Sequence, residues 1–554
     1  MTPVPEWTER VYKPKPGRDH LGLGTTSSGE ILPLLSPGIN VLTPHPRYFS
    51  FYVFLLDEFW RRSELRRSYR SFVEFFRPRE FVFSLAAHLC DRPEHQSMFG
   101  IVGGSSTGPL ASSDAGQFNP SAGAVNYIQS ELGGYDLYYR VPMSDMGVIH
   151  LGGRGYPYPV DLPSEELGKP LAEAFRQAIA DTDYYRTFFE HPDKAIPRDI
   201  VKAYGRAACL CQLRTDEAPD RSLLQELFVR KGLRPEDRRA TFRMFLDMAA
   251  QTDPAPLDVT QFRQLVYYGT SERGARYAPR PELESVHARW RLYQAREYYA
   301  FALNHLWNHL SHWGASEGGD LHPVPLSDVW AHLEGALSFS LLSGARGIGE
   351  PALSAGSELQ ALFDWISEVN QPDGGQGVRS SGLDAPLNER ALYRLAKNTP
   401  AGHELAISLA LTMLALVFLR FCDPKLALSY DWVVAEMGGS ARLSLDHFLR
   451  DVRAMLGTGT ATVASMANWL MKDYVIRQHL RVATSKLPDN TFRFTRDGAG
   501  LLFFPRDDEV DFNDSRYDAL STAVLELGFC EDLRRPPHPL TSAGLHLLEE
   551  GDLP

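Results

Sequence analysis

The longest apolar run of the chain, Leu405 to Leu419, limits what the sequence can fold into. It has fifteen residues and no charge, so a helix built from it is about 22 Å long at about 1.5 Å per residue. The hydrocarbon core of a bilayer needs about 30 Å. The run therefore predicts a helix buried in a protein core rather than a membrane span, since a helix that is apolar on all sides has to be covered on all sides.

Helical periodicity dominates much of the remaining sequence. Residues 45–90 place aromatic side chains three and four positions apart, and we expect a break at Pro78. A second long helix is predicted from Ser285 to Trp313, stopped by Gly314. Residues 96–160 are rich in Gly, Ser and Tyr, and the runs YDLYYRV and GVIHL within them are typical of short strands. The predicted fold class is mainly α with a smaller β-containing element, an α+β multidomain protein.

Composition changes along the chain predict three consecutive domains. An N-terminal domain, 1–190, contains the aromatic helices and the β element. A helical domain follows over 191–399, and the third, 400–554, begins with the buried helix. The segment 370–386 is rich in Gly, Pro, Ser and Asp, which indicates a loop or hinge.

The C-terminal residues carry clear local signals. A hairpin is predicted with its turn at Asp497-Gly498. A helix is expected next, capped by Asn513 or Ser515 and ended by Gly528. A Leu-Thr turn and a short terminal helix complete an order that resembles the end of a winged-helix domain, and we therefore expect a C-terminal winged helix.

Charge and cysteine content narrow the classes of function. The formal net charge is -12, which argues against a general polyanion binder. The five cysteines are Cys90, Cys209, Cys211, Cys422 and Cys530. Their odd number and wide spacing predict reduced thiols in a cytoplasm. The pair C-x-C at 209–211 is too close for a C-x2-C zinc knuckle and no second pair follows it, so no zinc site is predicted there. The N-terminus shows no signal peptide.

Two glycine-serine clusters have the spacing of catalytic loops. The first, 24–29, has the G-x4-G of a P-loop, but Glu30 stands where the phosphate-binding Lys belongs, and a structural turn is predicted. The second, 104–108, fits G-x-S-x-G, which would place Ser106 on a nucleophile elbow after a strand. Pro109 and a loop-like sequence follow instead of a helix. A Gly/Ser turn is the main expectation, and Ser106 is kept as the alternative catalytic residue.

Two further patterns contain metal-ligand residue types. His305, His309 and His312 share one helical face, but the Glu of H-E-x-x-H is missing and no cluster completes a site. We predict instead that these three histidines are buried in an aromatic helix or cap it. The acidic stretch 507–514 lacks the Gly and Glu that an EF-hand loop requires at its sixth and twelfth positions. The sequence therefore predicts no metal and no other cofactor.

Two basic stretches stand out against the acidic background. The first follows helical spacing and is interleaved with aromatic residues, which suits contact with a phosphate backbone. The alternative is a pair of solvated helix faces whose cations pair with neighbouring Glu and Asp, and both interpretations stay open. The candidate nucleic-acid-binding residues are Arg61, Arg62, Arg66, Arg67 and Arg70 in the first stretch and Arg230, Lys231, Arg234, Arg238 and Arg239 in the second.

Several short motifs recur together in the first 150 residues. They are a D-x-LG start at Asp19, a PG at 37–38 followed by Thr43, an RY-x-x-F helix at 47–51, a G-S-x-T-G turn at 104–108, and a GGY…YYR run at 133–140. In these features the chain resembles uncharacterised bacterial proteins found in antiviral defence gene clusters. The resemblance implies a multi-gene defence system as the context and brings no known active site.

Taken together, these patterns predict a cytoplasmic, non-catalytic subunit of a bacterial antiviral defence complex. It would sense nucleic acid, or scaffold and regulate an effector, with an ATPase, nuclease or protease as the protein partner and no membrane. One alternative is a hydrolase or phosphate-group enzyme that uses the 103–108 turn. Another is a regulator released by proteolytic cleavage in an exposed loop such as 370–386.

Overall fold

The computed structural model is built mainly from helices, with strands only in small sheets of two or three. This confirms the predicted fold class of mainly α with a smaller β-containing element. No helix among the described residues is long and apolar enough to cross a membrane. The residues described are 17, 19–62, 68–95, 98–215, 218–318, 322–371, 377–423, 443–504 and 507–554.

The chain divides into two compact units, each assembled from separate segments. Unit 1 comprises the described parts of 1–31, 263–275 and 288–513, and unit 2 comprises those of 32–262, 276–287 and 514–554. This arrangement interleaves distant segments. The sequence predicts three consecutive domains, 1–190, 191–399 and 400–554, a division that stays a prediction.

Unit 2 is organised around an aromatic core. Nearly every residue of the helix Arg47–Arg61 is buried, and the ring of Phe51 stacks on that of Phe83 with centroids 3.8 Å apart. Phe175, from a third helix, lies 5.7 Å from Phe51. The helices of unit 2 are Leu32–Leu35, Arg47–Arg61, Tyr69–Leu89, Gly104–Ala111, Pro120–Val125, Arg140–Asp145, Gly168–Ile179, Arg198–Ala208, Arg221–Arg230, Pro235–Thr252, Tyr517–Glu526 and Ser542–Glu550.

Unit 1 contains the apolar run as the helix Leu405–Phe421, in which nearly every residue is buried. The predicted core helix is therefore confirmed. The remaining helices of unit 1 are Leu23–Thr26, Leu326–Gly335, Phe339–Arg346, Leu359–Val369, Gly377–Ser380, Glu389–Lys397, Leu445–Gly457, Val463–Trp469 and Arg477–Ser485, and the helices Val259–Tyr268 and Glu284–Gly318 each contain a unit boundary.

Two expected helix breaks are wrong. Gly314 lies inside the helix Glu284–Gly318 and does not end it. A Cβ atom at this position would lie 2.2 Å from the ring of Phe503. The glycine therefore allows that ring to pack closely against the helix and does not end the helix. Pro78 likewise lies inside the helix Tyr69–Leu89. Proline removes one backbone hydrogen bond, and buried aromatic packing on both sides of Pro78 holds the helix together.

The run YDLYYRV is helical, which corrects the predicted strand. It forms a π-helical turn, Tyr135–Tyr139, followed by the helix Arg140–Asp145. Tyr135 and Tyr139 are fully buried four positions apart. This is the spacing of a helix face, and it lets both rings enter the aromatic core.

The strands form three small antiparallel sheets. Gln117–Phe118 pairs with Ile196–Pro197. Ile149–His150, within the predicted GVIHL strand, pairs with Leu162–Pro163. In the third sheet Gly500–Phe503 lies between Val324–Pro325 and Phe494–Asp497, with Asp497 opposite Gly500. The predicted hairpin is confirmed, and Gly498 in its turn has a φ of 56°, a value that favours glycine.

The C-terminal helix is confirmed, but its predicted caps are not. The helix Tyr517–Glu526 starts after Arg516, which adopts a left-handed conformation, and neither Asn513 nor Ser515 caps it. Gly528 follows the helix with a φ of 73°. The hairpin belongs to unit 1 and both terminal helices to unit 2, so the winged-helix prediction gains no support. In the predicted hinge 370–386, residues 372–376 lie outside the described part.

Candidate metal centre

Four metal-ligating side chains meet in unit 2. They are Cys90, His95, Cys209 and Cys211, and their ligand atoms all lie within 4.8 Å of one another. The three thiols are buried and the imidazole is half-buried. We call this group the Cys3His cluster. The sequence predicts no zinc site at 209–211, and the structure places two further ligand side chains, Cys90 and His95, beside that pair.

The first two ligands follow the end of a helix. Cys90 caps the helix Tyr69–Leu89 at its C-terminus, and its extended backbone turns the chain away. A single 3-10 turn, Pro93–His95, then brings His95 back. The helix end fixes the position of the first sulfur, and the tight turn fixes the nitrogen.

The second pair repeats this arrangement. Cys209 caps the helix Arg198–Ala208, and Cys211 lies in the 3-10 helix that follows it. The two ligand-bearing helices approach each other closely one turn earlier. A Cβ atom on Gly205 would lie 2.2 Å from the carbonyl oxygen of Ala86. Glycine at 205 therefore lets the backbones touch, which brings the two helix ends together.

The distances within the cluster suit a single tetrahedral ion. The sulfurs of Cys90 and Cys211 are 3.8 Å apart, and Nδ1 of His95 lies 3.2 Å from the sulfur of Cys209. Metal–sulfur bonds of about 2.3 Å around a tetrahedral zinc place two sulfurs about 3.8 Å apart. All the cysteines are free thiols.

Contacts outside the ligands fasten the two segments to each other. The carboxylate of Asp91 accepts two hydrogen bonds from Arg206, each 2.7 Å, and lies 3.0 Å from Lys202. These hydrogen bonds hold the pKa of Asp91 below its usual range. Arg214 donates to the carbonyl of Glu94 at 2.9 Å. The loop between Cys90 and His95 is thus tied to residues on either side of the second pair.

A buried arginine supports the backbone of the second pair. Arg47 is fully buried, and its Nη1 donates to the carbonyl of Cys209 at 2.6 Å and to that of Ala207 at 3.2 Å. Its Nε donates to Asp220 at 3.3 Å. Outer contacts of this kind orient metal ligands and tune the affinity of a site.

The surroundings shift the pKa values of two of the three thiols in opposite directions. Hydrogen bonds from Cys209 and Cys211 lower the pKa of the Cys90 thiol. Burial raises the pKa of Cys209 well above its ordinary value. Because thiolates are the metal ligands, binding of a cation would release protons from the thiols of the cluster.

The chemical types of the four ligand atoms indicate which metal ion they suit. Three soft sulfurs and one imidazole nitrogen favour zinc among the common cellular ions. An iron–sulfur cubane would place each thiolate on a different iron, which needs ligand atoms farther apart than a mononuclear ion does. Four protein ligands also fill a tetrahedral shell, and a filled shell is typical of structural rather than catalytic zinc.

The ligands of this site occur in the sequence as two separate pairs. The C-x-C at 209–211 is too close for a zinc knuckle and no second pair follows it, whereas the other ligand side chains precede it: His95 is 114 residues before Cys209. A C-x4-H at 90–95 supplies them. Each half directly follows a helix end, and that shared placement was the available clue.

The first basic stretch pairs with acids of unit 2. Arg61 lies 2.6 Å from Asp57 and 3.3 Å from Glu173. Arg62 bonds to the carboxylates of Glu58 and Glu190. Arg70 is exposed and lies 3.0 Å from Glu74, while Arg66 and Arg67 fall outside the described residues. These contacts favour the solvated-face interpretation.

The second stretch is engaged in the same way. Arg230 lies 2.8 Å from Asp552, Lys231 lies 3.7 Å from Glu226, and Arg239 lies 3.8 Å from Asp552. Arg234 is exposed. Arg238 corrects the prediction outright, because it is fully buried and donates to backbone carbonyls, including those of Phe228 and Pro37. It cannot contact nucleic acid from that position.

The glycine-serine clusters are helical rather than turns. Ser106 lies in the helix Gly104–Ala111, with no strand before it, and its hydroxyl donates to the carbonyl of Tyr127 at 2.9 Å. The elbow geometry expected for a nucleophile is absent from this described segment. In the first cluster the carboxylate of Asp19 accepts from the backbone N–H groups of Gly24 and Thr25. An acidic side chain thus occupies the place where a P-loop would hold phosphate.

In the long helix His305 and His309 are buried, as predicted, and His312 is half-buried. Burial lowers the pKa of His305 to about 4 and that of His309 to about 3. His309 contacts His332, with the two Nε2 atoms 2.9 Å apart. In the acidic stretch, Arg493 binds the carboxylate of Asp508, so a protein cation fills the place of a calcium ion.

No protein-family model, no curated protein and no solved structure matches this chain. The site is therefore described by its own geometry, which is that of four ligand side chains able to hold a single metal ion.

Proposed function

We propose that this chain is a zinc-binding, non-catalytic subunit of a bacterial antiviral defence complex. The observation that carries the metal assignment is the convergence of one nitrogen and three sulfurs within 4.8 Å. The filled ligand shell supports a structural role for the ion. The resemblance of the first 150 residues supports the defence context.

The ion would act as a cross-link within unit 2. It would join the ends of the helices Tyr69–Leu89 and Arg198–Ala208 through ligands up to 121 residues apart. Closing a loop of that length restricts the unfolded chain, and the binding free energy of the ion adds to the folding free energy. The surface of unit 2 would then be rigid enough to serve as a scaffold for a partner.

The metal assignment is tested on the purified full chain. We expect one zinc per chain by elemental analysis, and cobalt substitution should give the absorption bands of a tetrahedral thiolate site. Cys209→Ser and Cys211→Ser should each reduce the bound metal. Cys530→Ser is the matched control, because Cys530 is a buried thiol of the same unit outside the cluster. Equal metal content in all variants would contradict the assignment.

The subunit role is tested by affinity purification from the native bacterial host. A stoichiometric ATPase, nuclease or protease partner, retained by the native chain and lost by Cys209→Ser, is the expected result. A chain recovered alone, with a hydrolytic activity that Ser106→Ala removes, would contradict the proposal and favour the enzyme alternative. Reduced thiols and bound zinc fit the expected cytoplasmic location.

A further inference from the structure

Unit 1 contains an open cleft of about 700 Å³ that is separate from the Cys3His cluster. Its walls come from the helix Leu326–Gly335, the helical stretch 463–485 and the strand Phe494–Asp497. Trp330 and Trp469 line it, and both are half-buried. Two indole rings at one cleft offer broad stacking surfaces for a flat ligand.

A widened helical turn shapes one wall. Residues Leu470–Ile476 form a π-helix between two α-helical segments. Such insertions change the direction of side chains and occur often at functional sites. Here the turn carries Lys472 and Ile476 into the lining of the cleft, beside Trp469. This wall of the cleft therefore presents both apolar side chains and the positive charge of Lys472.

The cleft is positively charged although the whole chain is acidic. Lys472 and Arg496 are exposed and have no acidic partner among the residues that the structure describes. Arg477 is balanced by Asp473 at 2.8 Å. Unbalanced cations on a chain of net charge -12 indicate an anionic ligand.

An unused hydrogen-bond acceptor lies in the same lining. Nδ2 of Asn468 donates to Glu334 at 3.3 Å, whereas its Oδ1 is shielded from solvent and has no hydrogen-bond partner. Shielded polar atoms are normally satisfied, and one that is not suggests a missing partner.

From these features we propose that the cleft binds a nucleotide, either free or as part of a single strand. The base would stack on Trp330 or Trp469. The phosphate would lie between Lys472 and Arg496. Stacking on aromatic rings together with cations along the backbone is the usual means of binding single strands. The inference does not rest on the proposed role of the Cys3His cluster.

The first test compares two charge reversals of equal size. Binding of labelled DNA and RNA single strands of about ten nucleotides is measured by fluorescence anisotropy, with AMP and ATP as competitors. Lys472→Glu/Arg496→Glu should weaken binding at least about tenfold and should reduce the salt slope by about 0.7, the value for one phosphate contact on a single strand. Lys169→Glu/Arg186→Glu, at two exposed cations of unit 2, should change affinity less than about twofold.

The second test separates stacking from charge. Trp330→Ala should weaken binding roughly tenfold, and Trp330→Phe should restore most of it. Competition by mononucleotides would identify a free nucleotide as the ligand, and binding of oligonucleotides alone would identify a single strand. The proposal is overturned if neither binds, if both charge reversals cause equal losses, or if Lys472→Glu/Arg496→Glu binds as the native chain does. Circular dichroism confirms that each variant is folded.

Discussion

Unit 2 joins two helix ends through the Cys3His cluster, and unit 1 joins two helices through the buried ion pair of Glu389 and Arg420. In unit 1, Nε of Arg420 donates to Glu389 at 2.6 Å, and both side chains are almost fully buried. Tyr267 and Tyr268 also donate to that carboxylate, at 2.9 and 3.0 Å. The ion pair is complete within the protein, whereas the proposed zinc of the cluster would have to come from outside.

This difference predicts which unit depends on its surroundings. Under the proposed zinc assignment, the folding of unit 2 would be linked to metal supply, because the binding free energy of the ion adds to the folding free energy. The carboxylate of Glu389 already has a cation and two hydroxyl donors, so unit 1 should be insensitive to metal.

Removal of the metal should have the largest effect. Cys209→Ser, or a strong chelator under reducing conditions, should destabilise unit 2 by on the order of 5 kcal/mol or more. Hydrogen exchange should accelerate in segments 86–95 and 205–214 and stay unchanged around Glu389. Cys530→Ser, with chelator absent, is the control. Equal loss of protection in both units would show that the contrast is wrong.

Breaking the ion pair of unit 1 should come next. Glu389→Ala leaves Arg420 buried without its carboxylate, and we expect a loss of about 3–5 kcal/mol in the free energy of unfolding. Chelator should add nothing to the effect measured in unit 1. The double variant Glu389→Leu/Arg420→Met removes both charges and should recover much of the stability. A double variant as unstable as the single one would argue against the uncompensated charge as the cause.

A buried carboxylate in unit 2 gives a pH-dependent effect of intermediate size. Burial raises the pKa of Glu80 to about 7, although Tyr52 and the N–H of Gly134 donate to it. Its folded pKa thus exceeds its unfolded one, so the folded state holds a proton that the unfolded state releases. Stability should therefore fall by about 3 kcal/mol as pH rises from about 4.5 to 7, at about 1.4 kcal/mol per pKa unit.

Glu80→Gln tests this assignment directly. The amide oxygen can still accept from Tyr52 and Gly134, but the side chain no longer titrates. Denaturant unfolding at several pH values should show a flatter profile across that range and a higher stability above pH 7 than the native chain has. An unchanged slope would place the titration elsewhere.

The sequence predicted those parts of the fold that local patterns determine. The buried helix at 405–419, the turn at Asp497-Gly498 and the glycine at 528 each depend on neighbouring residues, and all are confirmed. The same local rules predict that helices end at Pro78 and Gly314, and both predictions are wrong. Contacts with distant aromatic side chains, invisible in the local pattern, decided both positions.

The candidate sites were harder to predict, because they depend on contacts across the sequence. The basic stretches look alike in the sequence whether or not acids lie opposite them, and Glu173, Glu190 and Asp552 come from remote segments. The Cys3His cluster is likewise assembled by two helix ends that meet near Gly205. The spacing of residues along the chain can indicate each pair of ligands, 90–95 and 209–211, but it cannot show that the two pairs meet in the fold.

The smallest effect expected concerns two buried arginines of unit 2, only one of which supports the cluster. Arg47 donates to the carbonyl of Cys209, and Arg238 donates to carbonyls away from the cluster, such as that of Phe228. Arg47→Met should lower zinc affinity about 10- to 100-fold, the usual cost of losing an outer contact at a metal site. Arg238→Met should leave zinc affinity unchanged even if it lowers stability.

Competition with a chromogenic zinc chelator measures the two affinities on folded protein, so general destabilisation is separated from loss of ligand support. Asp220→Asn provides an intermediate case, because Asp220 orients Arg47 through its Nε without reaching the backbone of Cys209. If Arg47→Met and Arg238→Met weaken zinc equally, the outer contacts contribute only to the stability of unit 2. If only Arg47→Met does so, the cluster is a metal site whose ligands are held by the surrounding helices.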